Sequence, residues 1–223
     1  MTITERYQKI RTEIPEDVTI VLAAKTRSLE EVIEVIDAGA TDIGENYIQE
    51  AEQIYRALGD KAEKVRWHMI GPVQKNKINK ALEIFDVIQT IDSLRKADQV
   101  NKRAERMGRV VRVLLEVNVG REATKAGVDP LYGDITQLAE DISRLEHVML
   151  CGLMTMGPLR EDPEESRIFF KLTKKLFDEI KARGIPGINF DTLSMGMSND
   201  FKVGIEEGAT MVRLGTIVFG ARG

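Results

Sequence analysis

Val110–Val119, VVRVLLEVNV, is the clearest strand signal in the chain. Its β-branched and apolar side chains suit a pleated, buried surface. Before it lies Ser93–Met107, polar and helical in period. After a long loop comes a second helix-period stretch, Ile135–Leu145. A strand between two helices is the unit of a parallel sheet, because parallel neighbours need a crossover connection.

The same unit recurs outward in both directions. Toward the N-terminus the strand signals are Val18–Ala24, Ala40–Gly44, Val65–Ile70 and Val87–Ile91. Toward the C-terminus they are Val148–Met154, Asn189–Leu193 and Thr210–Leu214. Between them run helix-period stretches. Thr4 is read as the cap of an opening helix that ends near Pro15. Ser28 and Glu31 have the spacing of a capping box, with Leu29, Val32, Ile33 and Ile36 on one face and Gly39 as the stop. Further helices are expected through Ile48–Leu58, over Lys75–Leu82 and Glu164–Arg183, and over Asn199–Glu207 with Ser198 as cap. Eight strands with about 28 residues per unit predict an α/β fold, a closed (β/α)8 TIM barrel in one domain, residues 1–223. An open doubly wound sheet is the alternative, since one sequence does not show strand order.

Composition excludes several classes. Hydrophobic residues are 43 % and charged residues 30 %, a foldable balance. With 32 basic and 36 acidic residues the formal net charge is −4, which argues against a bulk polyanion binder, hence no nucleic acid partner. One cysteine, Cys151, excludes an intramolecular disulfide, and with two histidines it leaves too few ligands for a Cys/His zinc site. Apolar runs of about seven residues, such as Val18–Ala24, are far below the ~20 of a membrane helix. The N-terminus, MTITERYQKIRTEIPED, has no apolar signal core, so a cytoplasmic chain without a membrane partner is expected.

In such barrels chemistry gathers at the C-terminal ends of the strands, and phosphate at the loops after strands 7 and 8. Those loops read Leu193-Ser-Met-Gly-Met-Ser198 and Arg213-Leu-Gly-Thr216. Their glycines admit backbone N–H groups close to an anion, and Ser194, Ser198 and Thr216 add hydroxyl donors. Ordinary tight turns explain either loop alone; both together at this place favour an anion site. Lys25 ends the first strand, either as a desolvated amine able to form a Schiff base or as a lysine reaching out to solvent. Asn46 ends the second, as a ring contact or, as local sequence favours, a helix cap. Arg213 interrupts an apolar strand and is placed inward, paired, beside Gly215-Thr216. His68 is read first as a hydrogen-bonded wall residue, with a neutral-pH acid/base role as the alternative. Lys75, Lys77 and Lys80 read as a solvated helix face, and Met154, Met156, Met195 and Met197 as apolar lining.

Seven stretches in order resemble the pyridoxal phosphate homeostasis proteins, a family of pyridoxal 5'-phosphate (PLP) binders. They are Ala24-Lys25-Thr26, Gly44-Glu45-Asn46-Tyr47, Trp67–Gly71 with Gln74–Lys77, Val117–Val119 with Lys125–Gly127, Cys151–Met154, Leu193–Ser198, and Val212–Thr216 with Phe219–Arg222. The sequence departs from the usual pattern at Ala24 and at Arg27-Ser28. The resemblance implies a barrel similar to the N-terminal domain of alanine racemase, with PLP as cofactor in Schiff-base linkage to Lys25. It implies that Asn46 contacts the ring side and that Arg213 faces the pyridine nitrogen. Ser194, the Met195-Gly196 backbone and Gly215-Thr216 would hold the phosphate. It also implies a PLP buffer or carrier that supplies PLP-dependent apoenzymes, with no catalytic residue and no metal. A racemase of this fold borrows a tyrosine from another subunit's extra domain, which this chain is expected to lack. The readings left open are a small PLP-dependent racemase or lyase, and a barrel in which Lys25 engages a sugar phosphate. The Asn118–Gly133 loop carries Lys125, read as a lid or secondary PLP acceptor, or as a plain surface crossover. A monomer is expected.

Overall fold

The computed structural model describes residues 1–121, 126–130, 134–158 and 160–221. Eight parallel strands close in sequence order, each paired with the next and the eighth with the first. They are β1 (Thr19–Ala23), β2 (Asp42–Glu45), β3 (Arg66–Met69), β4 (Val87–Ile91), β5 (Val111–Val117), β6 (Val148–Thr155), β7 (Thr192–Met197) and β8 (Met211–Leu214). The helices are α1 (Ile3–Glu13), α2 (Leu29–Asp37), α3 (Ile48–Leu58), α4 (Ile78–Ile84), α5 (Leu94–Arg106), α6 (Ile135–Ile142), α7 (Arg167–Ala182), α8 (Phe201–Glu206) and α9 (Thr216–Phe219). The barrel is therefore closed, and the open-sheet alternative falls. Among the described residues no helix is long and apolar enough to cross a membrane.

Alternation along each strand sorts the side chains into two layers. On β5, Val111, Val113, Leu115 and Val117 join the main apolar core against the helices. Leu114 belongs to a separate cluster with Cys151 and Met154, on the barrel axis. The largest fully buried side chains include Trp67, Phe85 and Phe170 of the outer layer.

Three local expectations change. Thr2, not Thr4, caps α1: its hydroxyl accepts from Glu5 N–H at 3.1 Å and Glu5 reaches back to the Thr2 N–H at 2.8 Å. Thr4 sits in the first turn and donates to Glu34 through its N–H and its hydroxyl. The Ser28–Glu31 capping box forms as read. At the other end of the chain, β7 begins at Thr192 and runs to Met197, so Ser194-Met195-Gly196 is strand and not loop. Gly196 explains it. Its φ of +93° makes a bulge, and the register passes from Ser194 opposite Met211 to Met197 opposite Arg213, three residues against two. A Cβ at Gly196 would lie 2.9 Å from Phe201 Cα, so the glycine also lets α8 dock against the strand. Finally, α8 starts at Phe201 after Asp200, and Ser198 does not cap it; the Ser198 hydroxyl accepts from Gly215 N–H at 3.0 Å.

Candidate functional site

At the C-terminal ends of the strands lies a cavity of about 690 Å³, well within the range of small-molecule sites. Lys25, Asn46, Arg213, Gly215 and Thr216 all line it. These come from the ends of β1, β2 and β8, so residues as far apart as Lys25 and Thr216 converge because the barrel closes. Ile70, Met156 and Met197 give it an apolar wall, and Ser198, Asn199 and Asp200 with Arg27 and Arg160 add to the polar side.

Lys25 sits in a turn with an unusual backbone. Arg27 N–H closes onto Ala24 C=O at 2.9 Å, and Thr26 between them has φ of +62°. A β-branched residue there is strained, at roughly 1–3 kcal/mol. The Glu50 carboxylate accepts from Thr26 N–H at 3.0 Å and holds that turn. Half-buried Lys25 is therefore presented to the cavity from a fixed backbone.

Asn46 does not cap α3. Tyr47 occupies the cap position without a side-chain bond, and Asn46 lines the cavity. Gly71 packs on its backbone: an added Cβ would lie 2.3 Å from the Asn46 carbonyl oxygen.

Arg213 points inward and is 4 % exposed. Its Nη1 donates to the Ser194 carbonyl at 2.9 Å and to the Ser194 hydroxyl at 2.6 Å, and its Nη2 donates to Thr155 C=O at 2.7 Å. Burial pushes it down to about 10, while the charges of Asp200 and Glu116 oppose the shift, so it is a cation at neutral pH. Asp200 is itself spent on structure, accepting from Ser166 Oγ at 2.9 Å and Met197 N–H at 2.7 Å.

Ser194, Met195 and Gly196 do not line the cavity. Ser194 is fully buried beneath Arg213 and donates to Gln89 Oε1 at 2.8 Å, Met195 belongs to the outer core, and Gly196 faces α8. Ser198 lines the cavity in their place, beside Gly215. Met156 and Met197 are lining as read, whereas Met154 and Met195 are packed in cores. His68 is a buried wall residue, and its acidic partner is Asp42, 2.7 Å away. Lys80 pairs with Glu52 on the surface. Lys125 lies outside the described residues, as do Tyr132 and Arg222.

Two buried carboxylates of β2 are among those that escaped the sequence reading. Glu45 at the end of β2 is fully buried, and neither of its carboxylate oxygens has a hydrogen-bond partner. Burial, with the charge of Glu50 adding, raises it to about 8. Asp42 is held below the usual carboxylate range: burial pushes it up, but the bond to His68, with Thr41 and Arg66, outweighs that. A charged residue inside a short strand was the available signal for both, as it was for Arg213. Among the described residues no group of His, Cys, Asp and Glu could hold a metal ion.

Residues 2–223 match the family model of the alanine racemase N-terminal domain, which defines the class of barrel to which this fold and mouth belong. The chain is 35 % identical to the pyridoxal phosphate homeostasis protein of Pasteurella multocida, over 100 % of this chain and 98 % of that one. It is 41 % identical to the protein of that name from Aquifex aeolicus, over 90 % of this chain and 85 % of that one. PipY of Synechococcus elongatus, solved with PLP bound, superposes with a TM-score of 0.89 at 32 % identity, covering 98 % of this chain and all of PipY. The chain belongs to the pyridoxal phosphate homeostasis protein family.

Proposed function

We propose that this chain binds PLP in the cavity at the C-terminal mouth and acts in PLP homeostasis, holding and delivering the cofactor without robust catalysis. The observation that carries the reading is that Lys25 and the buried Arg213 line one cavity, with Ser198, Gly215 and Thr216 on its polar side. Those groups fit PLP: an amine for the aldehyde, donors for the phosphate and a cation for the ring. Lys25 is the covalent anchor, Asn46 the contact at the ring side, and Arg213 the group facing the pyridine nitrogen. Ser198, Gly215 and Thr216 hold the phosphate; Ser194-Met195-Gly196 support that turn from below. The homeostasis relatives and the PLP-bound PipY support the binding of PLP and the homeostasis role.

When bound, PLP supplies a reactive aldehyde and an electron sink whose strength depends on the ring nitrogen. A carboxylate there keeps the nitrogen protonated; an arginine, itself protonated and with no acceptor, does not. This chain's contribution is therefore to bind, orient and shelter the aldehyde rather than to promote turnover. Residues 1–223 act as one PLP-binding unit, a cytoplasmic monomer that gives PLP to apoenzymes.

The test is direct. The purified protein should absorb in the visible, and borohydride should fix one pyridoxyl mass on the peptide containing Lys25. Lys25→Ala should lose both. Isotope exchange at the α-carbon of amino acids should be far below ordinary enzyme rates, ~1–10³ per second. A colourless protein with no adduct overturns PLP binding; sustained exchange at enzyme rates overturns the carrier role in favour of a racemase.

A further inference from the structure

A row of polar side chains crosses the barrel between its two mouths. From the cavity inward, Arg213 Nη1 donates to Ser194 Oγ at 2.6 Å, and Ser194 Oγ donates to Gln89 Oε1 at 2.8 Å. Gln89 Nε2 lies 3.0 Å from His68 Nδ1, and His68 Nε2 lies 2.7 Å from Asp42 Oδ1. The row draws on β8, β7, β4, β3 and β2, and none of its five residues is more than 4 % exposed. Beyond it, half-exposed Arg66 reaches Asp42 at 3.1 Å from the opposite mouth.

The chemistry of the end groups gives the row a direction. Arginine has donors and no acceptor, so the Ser194 oxygen accepts from it and turns its own proton to Gln89. That puts the Gln89 amide oxygen toward Ser194 and its NH2 toward His68, and the same NH2 is 3.2 Å from Met211 Sδ. His68 Nδ1 then accepts, its Nε2 carries the proton, and the proton points at a carboxylate that can only accept. Reversing any one bond leaves a buried donor facing a donor or a lone pair facing a lone pair. The row runs from a cation to an anion with every intervening group matched, the arrangement in which buried polar bonds reinforce one another.

The bonds that hold the Arg213 guanidinium all end on neutral groups, the Ser194 carbonyl and hydroxyl and the Thr155 carbonyl. Asp200 and Glu116 act on its charge through space, and Asp42 is the carboxylate to which the bonded row ties it. We propose that Ser194, Gln89, His68 and Asp42 are positioning residues that fix Arg213 at the floor of the cavity and tie it to a carboxylate near the other end of the barrel. The inference rests on the reading that PLP occupies that cavity against Arg213. It deepens that reading by making the ring contact depend on residues that never meet the ligand. A guanidinium held before the ligand arrives needs no ordering on binding.

Gln89→Leu cuts the row in the middle at similar volume, Ser194→Ala cuts it next to Arg213, and Asp42→Asn removes the distal charge. Each is compared with the wild type for PLP dissociation constant and for the pH midpoint of the bound chromophore's visible absorbance. Thermal unfolding and circular dichroism confirm that each variant is folded. Gln89→Leu and Ser194→Ala should each weaken PLP binding roughly tenfold and move the midpoint, with Asp42→Asn shifting both in the same direction by less. The deciding arm is Gln89→Leu in an Arg213→Ala background, where its effect should shrink to less than about threefold. An undiminished effect there means that the row supports the barrel and not Arg213, and overturns the proposal. So do variants that bind PLP within twofold of the wild type with an unmoved midpoint. If the wild type itself takes up no PLP, the functional reading falls, and the inference with it; a wild type that binds beside unaffected variants overturns the inference alone.

Discussion

On β5, Val111, Val113, Leu115 and Val117 face the helices, while Arg112, Leu114 and Glu116 alternate with them toward the barrel axis. Apart from half-exposed Arg112 both faces are removed from water, yet one is aliphatic and the other carries charge. The outer layer gains free energy from apolar burial, which is indifferent to direction. The inner layer is built of bonds with fixed donors and acceptors, costly when incomplete and specific when complete. Stability is thus concentrated between strands and helices, and recognition along the axis. Glu45 breaks the division. It shares the helix-facing parity of Ile43, but it is an unpartnered carboxyl group.

The largest break comes from the outer layer. Phe170 of α7 is 1 % exposed, and Phe170→Ala should cost about 3–5 kcal/mol in denaturant unfolding. Saturating PLP uptake by the protein that remains folded should be unchanged. A large loss of uptake would mean that the two layers are not separable.

Glu45→Gln tests the exception. With a carboxyl raised from 4.5 to about 8, the folded state holds a proton that the unfolded chain releases between those values. Unfolding stability of the wild type should therefore fall as pH rises through that window. It should be fully retained below about 4.5, with a total loss on the order of 4 kcal/mol by about pH 8. Glu45→Gln lacks this slope, so the two stability curves should meet in acid and separate in base. Parallel curves would show that Glu45 finds a partner in solution.

The smallest effect belongs to the cavity rim. Thr26→Gly removes left-handed strain at a residue that is exposed, against the entropy that glycine adds to the unfolded chain. A gain of roughly 0.5–1 kcal/mol is expected from chemical denaturation. A loss would show that Thr26 has contacts that outweigh its backbone.

Much of this was legible in the sequence, because hydrophobic period and chain closure are local signals repeated eight times. Val87–Ile91 is the strand that its residues announce, and Ser28 and Glu31 form the capping box that their spacing announces. Lys25, Asn46, Arg213, Gly215 and Thr216 reach one cavity because strand ends are positions that a barrel brings together. β7 was misplaced because a bulge gives a strand the glycine of a turn, and Gly196 looks alike in both. Ser198 was read as a cap because capping and loop support use the same hydroxyl. The Asp42–His68 pair spans 26 positions, and the join from Gln89 to Ser194 spans 105. Both depend on which residues turn inward at one level of a closed sheet, which no window of sequence contains.

The extra residue at Gly196 lets a single strand serve two storeys of the interior. Ser194 is delivered to the buried row, and three positions later Met197 is delivered to the wall of the cavity, with Arg213 spanning the step between them. Straighten that kink without removing a residue, and every side chain beyond it changes face, trading the ligand's wall for the helix layer. One glycine therefore sets how the upper room of this barrel is aligned with its foundations.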